Sequence, residues 1–325
     1  MIRAIRIHEH GGPEVLRFEA VELPMPAAGE VRVRHAAIGV NFIDTYHRTG
    51  LYPLPALPAI LGREAAGTVE AVGDGVVEFA VGQRVAYPMH PGGSYADAAN
   101  VRAHALVPVP DDVDLRAAAA MMLKGLTAWY LLRRTHRVGA GETILFHAAA
   151  GGVGRIACAW AAHLGATVLG TVGNDAKAEI ARAHGCAETI VYTRESFVER
   201  VRALTDGAGV PVVYDSVGRD TFDGSLACLA PLGTLVSFGQ SSGPVPPFDI
   251  LRLSTSGSLF LTRPTLATHI ARREDLLAGA AELFDVVRSG AVHADIGAEY
   301  PLREAATAHR DLEGRRTSGS VVLLP

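Results

Sequence analysis

The 325-residue sequence is short of several things, and each shortage closes off a class of protein. Only three cysteines occur, Cys158, Cys186 and Cys228, and none has CxxC spacing. That argues against a disulfide framework and fits buried thiols in a reducing, cytoplasmic setting. No apolar stretch reaches about 18 residues without a charge, so no membrane span is expected. The opening Met1-Ile2-Arg3-Ala4-Ile5-Arg6 alternates like a strand and has no secretory apolar core. Long basic runs are missing too. The arginine pairs at 133–134, 272–273 and 315–316 are short and the net charge is −4, so nucleic acid is not expected as a partner. What remains is an ordinary globular composition, 49% hydrophobic and 20% charged, with a length suited to about two domains.

The chain is organised around Phe146-His147-Ala148-Ala149-Ala150-Gly151-Gly152-Val153-Gly154. An apolar run over 143–146 reads as a short buried strand. The helical pattern after the turn places Ile156, Ala157, Trp160, Ala161 and Leu164 on one face, and Gly165 stops it. Strand, glycine turn and helix together make the context in which a glycine motif reads as dinucleotide binding. The motif is Ala149-x-Gly151-x-x-Gly154, with Ala in place of the usual first Gly. Gly151 lets the backbone approach a pyrophosphate and Gly154 lets helix and strand pack closely. Free N–H groups at the helix start, with its dipole, favour the phosphate charge.

Residues 1 to about 110 read as many short strands with glycine turns, a small barrel-like β domain. From about 112 the pattern changes. Residues 115–134 read as helix, and strands then alternate with helices at 143–147, 167–172, 188–192, 210–215, 233–238 and 258–262. Six strands in two βαβαβ halves make a doubly wound parallel sheet with its ligand crevice at the strand carboxyl ends. A long helix is expected from about 268 to 288, another over 303–312, and a last strand over 320–324. The expected division is 1–120 with 266–325, and 121–265.

In an NAD site an Asp or Glu about 20 residues past the glycines binds the ribose hydroxyls. Here the second strand ends in Val172-Gly173-Asn174, with no carboxylate. Asp175 stands one step further, where it could cap the next helix, and Lys177 follows in the first turn. An ammonium there pairs with a 2′-phosphate, so NADP(H) is expected over NAD(H). Tyr192, at the end of the third strand, could lie beside the adenosine end.

These residues resemble a known family. The glycine turn, Gly170-Thr171-Val172-Gly173 and Tyr214-Asp215-Ser216-Val217-Gly218 are similar to the zeta-crystallin-type quinone oxidoreductases of the medium-chain dehydrogenase/reductase superfamily. So are Asn41-Phe42-Ile43-Asp44-Thr45-Tyr46, Lys124-Gly125-Leu126-Thr127 and Leu261-Thr262-Arg263-Pro264. The likeness covers essentially the whole chain. It implies an α/β protein with a GroES-like β domain and a six-stranded Rossmann domain, and a homodimer formed through Rossmann-domain edges. It implies NADPH contacts from Asn41, Thr127, Gly152, Val153, Gly173, Lys177 and Tyr192. Ser216, Phe238, Gln240, Ser241, Arg263 and Arg315 complete that set, and Gln240 departs from the small polar residue expected there.

Zinc alcohol dehydrogenases share the fold, with a Cys and a Gly-His-Glu turn as ligand positions. The matching places here are Asn41 and Arg63 in Gly62-Arg63-Glu64. An amide is a poor zinc ligand and a guanidinium has no lone pair to give, so no metal is expected. Without a Lewis acid, alcohol oxidation is disfavoured, whereas a quinone accepts a hydride with little help. The expected activity is NADPH-dependent reduction of a small quinone. Reduction of enones or enoyl thioesters, and NADPH binding without catalysis, stand as alternatives. Asn41, Tyr46 and Tyr52 are the expected catalytic residues, and the tyrosines could equally pack in the wall of the site. Asp44 is expected to cap a short helix, and Arg63 to pair with Glu64 or another nearby acid.

Overall fold

The protein is described here from a computed structural model that covers residues 1–314 and 316–325. It divides into two compact units. One comprises Met1–Leu126, Ile270–Arg288 and Ala294–Pro325, and the other Thr127–His269 and Ser289–His293.

In chain order the first unit contributes β1 (Ile2–Ile7), β2 (Arg17–Val21), β3 (Glu30–Val40), α1 (Phe42–Thr49), β4 (Ala59–Ile60) and β5 (Glu64–Val72). β6 (Arg84–Tyr87), β7 (Ala98–Arg102), β8 (Val107–Pro108) and α2 (Leu115–Tyr130) follow, the unit boundary falling inside α2. The second unit carries β9 (Thr143–His147), α3 (Gly152–His163), β10 (Thr167–Val172), α4 (Asp175–Ala183), β11 (Cys186–Val191) and α5 (Phe197–Leu204). β12 (Val210–Asp215), α6 (Phe222–Cys228), β13 (Leu229–Ser237), α7 (Leu251–Thr255), β14 (Phe260–Thr262) and α8 (Leu266–His269) complete its run. The chain then returns to the first unit with α9 (Arg273–Arg288), β15 (Ile296–Pro301), α10 (Ala305–Glu313) and β16 (Ser320–Leu324).

The first unit is built on β3. Val31 and Val33 are buried while Arg32 is half-buried and Arg34 exposed, the period-2 alternation of a strand with one face on a core. The sheet runs β15-β16-β3-β5-β6-β8, with β7 also on β3, and a smaller sheet runs β2-β1-β4. Ile38, Val69, Val85, Leu106, Val321 and Leu323 fill the core. β16 lies antiparallel to β3, pairing Val321 with Val40 and Leu323 with Ile38.

In the second unit every strand pairing is parallel, in the order β11-β10-β9-β12-β13-β14. Its central strands carry buried apolar runs, 144–146 in β9 and 212–214 in β12, as expected where helices cover both faces. The order reverses between β9 and β12, so the loop after β9 opens at the topological switch point.

Three features depart from the sequence reading. Helix geometry after Tyr130 widens into a π turn over Leu131–Thr135, where the Tyr214 hydroxyl donates to the Leu131 carbonyl at 3.0 Å. The expected helix over 268–288 is interrupted, and α9 starts anew where the Arg272 carbonyl accepts from Asp275 and Leu276. β15 went unread because its residues, Ile-Gly-Ala-Glu-Tyr-Pro, are half-exposed and carry no apolar run. Among the described residues no helix is long and apolar enough to cross a membrane.

Candidate active site

The second unit presents a row of loops at the carboxyl ends of its strands. After β9 the chain turns through Ala148, held at φ 54°, a left-handed conformation uncommon for a residue with a side chain. Gly151 N–H closes the turn on the Ala148 carbonyl at 2.8 Å. Gly151 is then the N-cap of α3, and no side chain caps the helix. The first N–H groups of α3, from Gly152 and Val153, are therefore left for a ligand, at the positive end of the helix dipole. A Cβ at Gly154 would overlap the Ala148 and Ala149 carbonyl oxygens, which is why a glycine stands there. The turn thus has the shape and the donors that a pyrophosphate requires.

At the end of β10, Asn174 caps α4 by accepting from the Lys177 N–H at 3.0 Å. Asp175 does not take that role. It is held by Arg194 through two bonds of 2.6 and 2.9 Å, so its charge is countered. Arg194 was missed in the sequence because its partner lies 19 residues back across a strand. Tyr192 packs its hydroxyl over Gly173, 3.0 Å from where a Cβ would sit. Gly173, Lys177 and Tyr192 are therefore gathered at the ends of β10 and β11.

The loops after β12 and β13 are joined by backbone bonds. Phe238 N–H donates to the Asp215 carbonyl at 2.8 Å, and Ser241 N–H to the Ser216 carbonyl at 3.1 Å. This brings Ser216, Phe238, Gln240 and Ser241 together, with the Phe238 ring 5.8 Å from that of Phe146. Arg263, just past β14, donates to the Ser237 carbonyl at 2.8 Å. Thr127 is buried on α2. Arg315 lies outside the described residues.

The first unit holds a buried polar cluster around α1. Asn41 is its N-cap and Asp44 its third residue; Asn41 N–H donates to Asp44 Oδ2 at 2.8 Å, half of a capping box. The Asn41 side-chain amide donates to Glu64 Oε1 at 2.6 Å. A carboxylate only accepts, so the amide oxygen of Asn41 is left to accept from elsewhere. Glu64 is fully buried and also takes Lys124 Nζ at 3.2 Å and the Leu123 N–H at 2.6 Å. Gly39 makes room for it, since a Cβ there would run into the Glu64 carboxylate.

Arg63 does not pair with Glu64. Glu64, the first residue of β5, is already taken by Asn41, Lys124 and the Leu123 N–H, and Arg63 lies just before the strand. Arg63 instead donates to His47 Nε2 at 2.6 Å and to the His90 carbonyl at 3.4 Å. His47 in turn approaches the Tyr52 carbonyl through Nδ1 at 3.3 Å, and Tyr46 and Tyr52 meet edge-on at 5.2 Å. Burial, with Arg63 beside it, lowers the His47 pKa to about 4.

Three further residues were not foreseen. Tyr95 hydroxyl donates to Asp44 Oδ2 at 2.9 Å and lies 3.0 Å from His309 Nε2. Arg48 Nη1 meets His309 Nδ1 at 2.9 Å. An arginine can only donate, so His309 carries its proton on Nε2 and the chain Arg48, His309, Tyr95, Asp44 runs in one direction. Asp44 Oδ1 is buried without a hydrogen-bond partner, and burial raises the Asp44 pKa to about 7.

Comparison with known proteins gives this arrangement its context. Residues 27–111 match the alcohol dehydrogenase GroES-like domain, and residues 152–284 match the family described as zinc-binding dehydrogenase. A quinone oxidoreductase of Pseudomonas aeruginosa is 53% identical over the full length of both chains. A 2-haloacrylate reductase of Burkholderia sp is 48% identical, covering 100% of this chain and 99% of the relative. The crystal structure of Escherichia coli quinone oxidoreductase complexed with NADPH superposes with a TM-score of 0.97 at 47% identity, covering 99% of this chain and 100% of that one. The chain belongs to the quinone oxidoreductase family of the medium-chain dehydrogenase/reductase superfamily.

Proposed function

We propose that this protein reduces quinones with NADPH and needs no zinc. The observation that carries the reading is the uncapped start of α3 at the switch point of the parallel sheet, with Lys177 and no free carboxylate where the adenosine ribose belongs. NADPH, when bound, supplies the hydride. The chain's residues bind and orient it. Gly151, Gly152 and Val153 offer backbone to the pyrophosphate. Gly173, Lys177 and Tyr192 take the 2′-phosphate, and Arg194 removes the repulsion that Asp175 would exert on it. Thr127, Ser216, Phe238, Gln240, Ser241, Arg263 and Arg315 complete the nucleotide contacts, and Asn41, with Glu64 fixing its amide, serves the reacting end. Tyr46 and Tyr52 offer ring faces and hydroxyls to a flat acceptor.

Zinc independence is supported by the donors. The amide of Asn41 is a poor zinc ligand, and Arg63 has no lone pair for a metal. A homodimer is supported by β14, the edge strand of the parallel sheet, where Phe260 is 60% exposed and a second copy could pair. Three free, buried thiols support a reducing cytoplasmic location. Reduction of an electron-poor double bond is a second reading, favoured by the 2-haloacrylate reductase among the relatives.

An NADPH-oxidation assay with a benzoquinone, a naphthoquinone, an enone and an enoyl-CoA tests both readings. Quinone turnover with NADPH well above NADH, narrowed about tenfold in Lys177→Ala, is expected. Turnover of the enone alone would replace the first reading by the second, and equal use of the two cofactors would remove the role given to Lys177.

A further inference from the structure

Arg63 stands apart from the other buried cations of the first unit. Arg48 is pinned to Glu313 by two bonds of 2.7 and 3.0 Å, and Lys124 to Glu64 at 3.2 Å. Arg63 is half-buried, yet its hydrogen bonds go to a histidine nitrogen and a peptide carbonyl. Among the described residues no carboxylate oxygen comes within ion-pair distance of it. The acid whose charge it feels is Asp44, whose pKa of about 7 leaves it only part-ionised at neutral pH. His47 and His90 are neutral, both lowered to about 4 by burial with Arg63 beside them. The surroundings therefore hold one fixed positive charge, faced by a single part-ionised carboxyl, among neutral imidazoles and the Tyr46–Tyr52 pair.

A cation taken from water without a counter-charge is costly, and a site that keeps one is prepared to receive the missing charge from outside. A guanidinium has five N–H donors, and two are used here, so three remain. The proposed reaction creates the charge they fit. A neutral quinone that takes up a hydride from the dihydronicotinamide gains two electrons and one hydrogen and becomes a hydroquinone monoanion, while the nicotinamide becomes cationic. One proton from solvent then completes the hydroquinone.

We propose that Arg63 is an oxyanion-binding residue, whose unused N–H donors take the substrate oxygen that becomes negative on hydride uptake and, in an acceptor that already bears a carboxylate, that carboxylate. This rests on the quinone-reductase reading. It explains how a chain with no zinc donors at these positions supplies an electrophile: the guanidinium stands where the metal's charge would act, without needing ligands.

Benzoate and benzamide test it, being alike in size and different in charge. Each is titrated calorimetrically into NADP+-saturated wild type, Arg63→Gln and Arg63→Lys. A charge-assisted bond predicts that wild type binds benzoate at least about tenfold tighter than benzamide. Arg63→Gln should lose that preference while its benzamide affinity stays level, a split that general damage to the site would not give. Arg63→Lys, which keeps the charge, should retain part of it and covers the case in which the Gln variant does not fold. In turnover, Arg63→Gln should lower kcat with a benzoquinone about 10- to 100-fold. Equal wild-type affinities for the two probes, or a preference surviving in Arg63→Gln, overturns the proposal. The titration needs no turnover, so selective benzoate binding by a protein inactive toward quinones would uphold the anion site and refute the activity instead.

Discussion

Asp44 in the first unit and Asp215 in the second are both fully buried aspartates, and they are treated in opposite ways. Asp215 ends β12 and its carboxylate is surrounded by donors. Val217 and Gly218 N–H reach Oδ1 at 2.8 and 3.0 Å, and the Thr221 and Ser225 hydroxyls reach Oδ2, both at 2.8 Å. His147 Nε2 lies 3.0 Å from the Ser225 hydroxyl, so the order is Asp, Ser, His, with the serine in the middle where a hydrolase triad has the histidine. They are not a nucleophile set: all three are fully buried, and the Ser225 hydroxyl is spent on the carboxylate. The group is a closed knot that ties the loop after β12 to α6. Asp44 has two donors on one oxygen and none on the other. Asp215 is buried with both oxygens satisfied, as a structural carboxylate is; Asp44 is buried with one oxygen orphaned, a cost that its raised pKa reflects.

Removing the closed knot should have the largest effect. Asp215→Ala leaves two N–H groups and two hydroxyls without an acceptor and should cost about 3–5 kcal/mol, read by urea denaturation. A loss below about 1 kcal/mol would erase the contrast between the two carboxylates.

Asp44→Asn should act through pH. The folded Asp44 pKa of about 7 lies above its ordinary 3.8, so between those values the folded state binds the extra proton. Stability from this group is full at pH below about 4 and declines as pH rises through 7. The variant should therefore match wild type near pH 4 and exceed it at pH 8 by up to about 4 kcal/mol. His35, His47 and His90, lowered to about 4, and His309, to about 3, work the other way. Unfolded histidines take protons near 6.5, so both proteins lose stability as pH falls from there, and subtracting one curve from the other removes that loss. A difference that is the same at pH 4 and pH 8 would show that Asp44 stays ionised throughout.

The smallest effect belongs to Tyr95→Phe. It deletes one donor to Asp44 and should cost about 1 kcal/mol while pushing the Asp44 pKa further up. A lowered value would mean that the hydroxyl does not donate in the direction that Arg48 and His309 impose.

The contrast also separates what the sequence made legible from what it hid. The turn at Gly151–Gly154 could be read because backbone geometry forces glycine at fixed spacing beside a strand. Strands over 143–147, 167–172, 210–215 and 320–324 were legible for a related reason: each is a short apolar run between turn residues. Side-chain pairing was not. Glu64 finds Asn41 and Lys124 at separations of 23 and 60 residues, and Tyr95 finds His309 at 214. No local pattern encodes such partners. Arg63 shows the error this invites, since its sequence neighbour Glu64 is taken by Asn41 and Lys124 instead.

The most direct measurement follows quinone-dependent oxidation of NADPH by protein dialysed against a strong chelator and checked to be metal-free. Undiminished turnover, unaltered by added zinc and much faster with NADPH than with NADH, is the predicted result. Activity that vanishes with the chelator and returns with zinc would contradict it.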